Sequence, residues 1–108
     1  MVKTLCFDID GTICTTDCDY SDAVPFLKVI SEINKLHDSG TEIILFTSRG
    51  SKSGKDWTSF TKNQVDSWGV KYDKLLLGKP QADIFIDDRA AHIDDWCKKL
   101  GISKEWSL

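Results

Sequence analysis

Four short apolar runs, at 2–7, 42–46, 74–77 and 84–86, alternate with longer stretches of helical periodicity, and this alternation restricts the fold more than any other feature. Such runs, rich in β-branched and large apolar residues, are too short for typical buried helices and suit strands. Between the first two, Phe26, Ile30, Ile33 and Leu36 recur on one helical face. Asp22 is placed to cap that helix, Pro25 falls in its first turn and Gly40 ends it. A second helix is predicted over 57–68 with Phe60, Val65 and Trp68 inward, and Thr61 with Gln64 has the spacing of a capping box. Gly69 ends it, and a last helix runs to about Leu100. Strands alternating with helices predict an α/β fold: a three-layer, Rossmann-like parallel sheet with right-handed crossovers and helices on both faces. The 108 residues make one domain over 1–108, with no room for a cap module.

In open parallel sheets ligands bind at the carboxyl ends of the strands. Those ends carry Asp8 and Asp10, Thr47, Lys79 just past the third run, and Asp87 with Asp88 after the fourth. Four carboxylates brought together repel unless some protonate or a cation sits among them. All-oxygen donors suit a hard divalent ion, and magnesium suits a site shared with a phosphate, so Asp8, Asp10, Asp87 and Asp88 are the candidate metal residues. The Thr47 hydroxyl and the Lys79 amine suit phosphate oxygens. Of two acids on one face of an extended strand, one can attack phosphorus and the other can handle the leaving group's proton. Gly11 lets the chain turn away, and the amides following Asp8 are candidate anion donors. The polar stretch 48–56, with two glycines and three basic residues, predicts a mobile loop. Ser48 and Arg49 at its head and Trp57 at its exit complete the candidate substrate contacts, and Tyr20 with Trp57 could face a sugar ring.

Composition narrows the function classes. A net charge of −3 without a long like-charge run argues against nucleic acid as the main partner. No run approaches the about eighteen apolar residues that span a bilayer, and a cytoplasmic protein is expected. Cys6, Cys14, Cys18 and Cys97 include a single close pair, which predicts reduced thiols rather than structural zinc. His37 and His92 read as surface residues near helix ends, and Trp68, Trp96 and Trp106 as core or cover.

In order, DIDGT, ILFTS, GKP and IFIDD resemble the four motifs of the haloacid dehalogenase superfamily, over about 1–100. The resemblance implies Asp8 as nucleophile, Asp10 as general acid and base, Thr47 and Lys79 as phosphate ligands, and Asp87 with Asp88 as the acidic pair for magnesium. The ion would also take an oxygen of Asp8 and the carbonyl of Asp10. Asp at position 10 is similar to the phosphatases and phosphomutases of the superfamily rather than its dehalogenases. FTSRG, WGV, YDKLLLGKP and IDDRA resemble its small capless phosphatases of capsule and surface polysaccharide synthesis. The implied activity is magnesium-dependent phosphate monoester hydrolysis through an aspartyl phosphate, on a small phosphorylated metabolite or carbohydrate-linked intermediate. A phosphomutase shares the motifs but needs a cap to exclude water. A receiver-like signalling domain carries its acidic pair on the first strand and its phosphoacceptor mid-chain, the reverse of the order here. The oligomeric state is left open.

Overall fold

A computed structural model describes residues 3–104. Strand β1 is Thr4–Phe7, a 3₁₀ turn covers Tyr20–Asp22, helix α1 is Leu27–Asp38 and strand β2 is Glu42–Thr47. Helix α2 is Thr58–Ser67, strand β3 is Lys74–Leu77 and helix α3 is Ile93–Leu100. Val2, expected to open the first strand, and Trp106 lie outside the described residues. The result is a small α/β domain whose three strands pair in parallel in the order β1-β2-β3.

That order explains which face is covered. Phe7 aligns with Leu45, Leu5 with Ile43, and Leu45 with Leu75, so these odd-numbered residues share one face. Ile43 and Leu45 have no exposed surface and join Val29, Ile33 and Val65 in one core, on which Leu5, Leu75 and Trp96 pack. The even-numbered face is half-open: Cys6 is exposed and Leu76 is 46% exposed. Two successive right-handed crossovers that step in the same direction put both connecting helices on the same side. The expectation of helices on both faces is therefore not met among the described residues, because the strand order never reverses.

Local expectations at both helices are also corrected, and Pro25 lies before the first turn of α1 rather than in it. Asp22 does not cap α1; it ends the 3₁₀ turn, and the position before α1 is Phe26, with no side-chain cap. The residue before a proline disfavours helix, and Val24 and Pro25 are instead held extended against the turn after β1. Thr15 N–H donates to the Val24 carbonyl at 2.9 Å, and Phe26 N–H to that of Ile13 at 2.8 Å. In α2, Asp56 Oδ1 accepts from Thr58 N–H at 2.9 Å, whereas Thr61 and Gln64 lie within the helix and cap nothing. Val65 is inward and Trp68 half-buried as expected, but Phe60 leaves the core to join Trp57, with ring centroids 5.3 Å apart.

The largest departure is at 84–86. No fourth strand forms: Ile84, Phe85 and Ile86 are 76%, 51% and 96% exposed, and β1 is left as an edge strand. Among the described residues no helix is long and apolar enough to cross a membrane.

Candidate functional site

The ends of the three strands converge as parallel pairing requires. Thr47 closes β2 with its side chain on the covered face, 1% exposed, and its Oγ1 accepts from the Arg49 N–H at 3.1 Å. Its own hydroxyl hydrogen remains to donate. Past β3, the Lys79 N–H donates to the Thr47 carbonyl at 3.1 Å, and Ser51 Oγ donates to the Lys79 carbonyl at 2.7 Å. The loop expected to be mobile is thus pinned near its head. Gly50, at φ +83°, is required there, because a Cβ would collide with the Lys55 carbonyl oxygen. Ser48, between Thr47 and Arg49, takes part through its carbonyl, which accepts from Ser51 N–H at 2.9 Å.

Lys79 reaches Asp8, its Nζ 3.7 Å from Oδ1, and also stands 4.5 Å from the centre of the Phe85 ring. Burial pushes the Asp8 carboxyl above the ordinary aspartate value; the Lys79 charge and the Ile9 N–H act against this, and the Asp10 charge adds to it. Burial disfavours the ionised form of Asp8, and a perturbed carboxylate beside an ammonium marks a candidate functional position.

Asp10 has a different environment. Arg49, expected in the substrate loop, turns inward with 2% exposure and grips both oxygens of Asp10: Nε to Oδ2 at 2.9 Å and Nη2 to Oδ1 at 2.8 Å. Its Nη1 donates to Gln64 Oε1 at 2.8 Å and to Thr61 Oγ1 at 3.3 Å, and the Tyr20 ring lies 4.4 Å from its central carbon. Burial works against the guanidinium's charge, but the Asp10 bonds outweigh it and the proton is held more firmly than usual. Cys14 Sγ, 3.6 Å from Oδ1, adds a weak donor; burial and the Asp10 charge push its thiol up to about 12. Arg49 thus uses four of its five donors on protein acceptors with its side chain fully buried, so it sits behind Asp10 and not in the substrate loop where it was expected. Cys14, Thr61 and Gln64 are site residues that the sequence reading leaves out. The spacing of Thr61 and Gln64, one helical turn apart, was the available signal, but it fits a helix start equally well.

Gly11 keeps its predicted turn, at φ +80°, but its N–H donates to the Cys14 carbonyl at 2.9 Å and cannot serve an anion. Trp57 packs edge-on against Tyr20, 4.8 Å between ring centres, and Lys55 Nζ lies 4.3 Å over its ring. With Cys18, Asp19, Ser21 and Phe60 these two rings line an open groove of about 450 Å³.

Asp87 and Asp88 do not reach this cluster. Asp87 Oδ1 accepts from the Arg89 N–H at 2.9 Å, which holds its carboxyl below the ordinary value, and Asp88 is 88% exposed. Among the described residues no group of three or more His, Cys, Asp or Glu side chains is gathered that could hold a metal ion. The expected four-acid constellation is not assembled, because the strand that would deliver its second half is not formed.

No family model matches the chain, and no curated protein matches it. Among solved structures, one chain from a Pnkp1/Rnl/Hen1 complex is 18% identical with a TM-score of 0.57, over 81% of this chain and 30% of that one. This likeness is one of fold alone. A crystal structure of a target protein from Vibrio cholerae is 30% identical with a TM-score of 0.77, over 87% of this chain and 86% of that one. Agreement of sequence and backbone over nearly the whole of both chains places this chain in the same family as the Vibrio cholerae protein.

Proposed function

We propose that the chain is a phosphate monoester hydrolase that works through an aspartyl phosphate on Asp8. The observation that carries this reading is the junction of three strand ends: a carboxylate held above its ordinary value, an ammonium 3.7 Å away, and a buried hydroxyl between them in the strand order. A phosphate arriving at Asp8 meets Lys79 and Thr47, which stabilise charge on the transferring group. An Asp8 oxygen bonds to phosphorus as the bond to the leaving oxygen breaks, and that oxygen takes a proton from Asp10. A water oxygen then bonds to phosphorus, its proton passes to Asp10, and the bond from phosphorus to Asp8 breaks to release phosphate.

The haloacid dehalogenase resemblance extends this reading to magnesium. The donor set for the ion is not gathered in this geometry, so no step is derived through it. Magnesium dependence requires the 82–88 segment to move to the free edge of β1, carrying Asp87 and Asp88 toward Asp8. The exposed sequence ADIFID, with the apolar run Ile84, Phe85 and Ile86, is chemically suited to that edge. The groove flanked by Tyr20 and Trp57 favours a leaving group with a flat face and hydroxyls, such as a sugar.

The test is turnover of an aryl phosphate and a panel of sugar phosphates by the wild type and Asp8→Asn, with magnesium and with chelator. Turnover that Asp8→Asn abolishes supports the reading, and turnover that Asp8→Asn leaves intact overturns it. Loss on chelation and recovery with magnesium supports the metal, whereas full activity in a metal-free preparation excludes it.

A further inference from the structure

We infer that Arg49 is a positioning residue for Asp10, holding both oxygens of that carboxylate in one orientation for proton transfer. The inference rests on the hydrolase reading for its chemistry and on geometry for its content. A carboxylate offers about four lone-pair sites, two on each oxygen. Oδ1 is met by Arg49 Nη2 at 2.8 Å and Oδ2 by Arg49 Nε at 2.9 Å, while the single Cys14 thiol hydrogen is shared between Oδ1 and the Ile9 carbonyl, each 3.6 Å from Sγ. The two Arg49 bonds leave lone pairs on the carboxylate, and a proton can be carried there without dismantling the fork.

The guanidinium is itself fixed on its other sides. Gln64 Oε1 and Thr61 Oγ1 accept from Nη1, and Gln64 Nε2 donates to the Tyr20 carbonyl at 2.6 Å. The Tyr20 ring covers the guanidinium face at 4.4 Å and also forms part of the groove wall. Arg49 side-chain exposure is 0% against 22% for Asp10, so the anchor is dry and only the carboxylate reaches the site. A planar fork with five donors does this, and a lysine cannot, because a point charge fixes one oxygen and leaves the carboxylate free to rotate.

Four variants and two leaving groups test the inference. An alkyl phosphate needs its leaving oxygen protonated, whereas a nitrophenyl phosphate does not. If Arg49 positions Asp10, Arg49→Lys and Arg49→Ala lose alkyl phosphate kcat by about 10²-fold or more, the range of general acid catalysis, with less loss for the aryl substrate and little change in KM. Millimolar guanidinium restores part of the Arg49→Ala loss, and Asp10→Asn combined with Arg49→Ala is no slower than Asp10→Asn alone. A phosphate-binding Arg49 gives instead a KM increase on both substrates and losses that multiply in the double variant, which overturns the inference. Equal kcat losses on both substrates, without guanidinium rescue, indicate a folding role only and also overturn it. If the wild type hydrolyses no phosphate ester, the hydrolase reading falls, while the anchoring of Asp10 is decided by urea unfolding of the wild type, Asp10→Asn, Arg49→Ala and the double variant. A non-additive effect of about tenfold or more in the unfolding constant upholds the anchor, and additivity removes it.

Discussion

Asp8 and Asp10 are one residue apart in sequence, yet their amide variants should shift stability in opposite directions. Asp10→Asn removes the charge facing a guanidinium that has no exposed surface. Each charge-assisted bond contributes about 1.5–3 kcal/mol, and breaking a fully buried pair costs about 3–5 kcal/mol. Water reaches the 22% exposed Asp10 side, and one amide oxygen still accepts from Arg49, which sets the loss at the low end, ~2 kcal/mol. For a domain of this size that is a fall in Tm of about 10 °C. Asp8→Asn has the opposite sign, because folding raises the Asp8 carboxyl above its ordinary value, chiefly through burial. As pH rises past the ordinary value the unfolded chain releases this proton before the folded chain does, so the wild type loses stability through that window and stays lower above it. The Asp8→Asn variant lacks this loss. It should be more stable than the wild type at pH 7 and lose that advantage once the pH falls below about 3.9, the ordinary value for aspartate. Urea unfolding followed by tryptophan fluorescence at both pH values measures each difference. The two environments are misassigned if Asp10→Asn leaves stability unchanged at pH 7, or if Asp8→Asn lowers it there.

The fold and the cluster at the strand ends give three further expectations. Lys79→Met removes the charge that opposes the rise at Asp8, so in a pH profile of kcat/KM the acid limb, set by ionised Asp8, should move to higher pH while kcat falls; an unmoved limb refutes the pairing. Gly50→Ala, with a collision against the Lys55 carbonyl and φ +83°, should cost about 1–3 kcal/mol, whereas Gly54→Ala, at φ +74° but with no atom nearby, should cost only about 1 kcal/mol; thermal melts compare them. Ile86→Ser, at a side chain 96% exposed, should stay within about 0.5 kcal/mol of the wild type, while Ile43→Ala in the core should lose about 2–5 kcal/mol; a large loss for Ile86→Ser would mean that this segment is packed in solution.

The contrast between Ile43 and Ile86 shows where the sequence was readable. Apolar runs predicted β3 as found and β2 to within one residue, since each lies beside a strand that forms, where pattern and pairing agree. The run at 84–86 has the same composition, but whether it pairs depends on which edge it can reach. After β3, the order β1-β2-β3 leaves β1 as the far edge, so pairing there must cross the sheet, and no local signal encodes that step. The same limit governs the site. Asp8, Thr47 and Lys79 were legible because each ends or just follows a strand that forms, and parallel register brings strand ends together. Arg49 was misread because a basic residue in a polar loop is ordinarily solvated, and its burial depends on three acceptors from distant segments: Asp10, Thr61 and Gln64. None of these is remarkable alone. Their convergence follows from α2 packing Val65 into the core, which turns Thr61 and Gln64, one turn earlier and one residue away, toward the end of β2. A residue's role at this site thus follows its strand's end where one element sets it, and escapes sequence reading where tertiary packing assembles it.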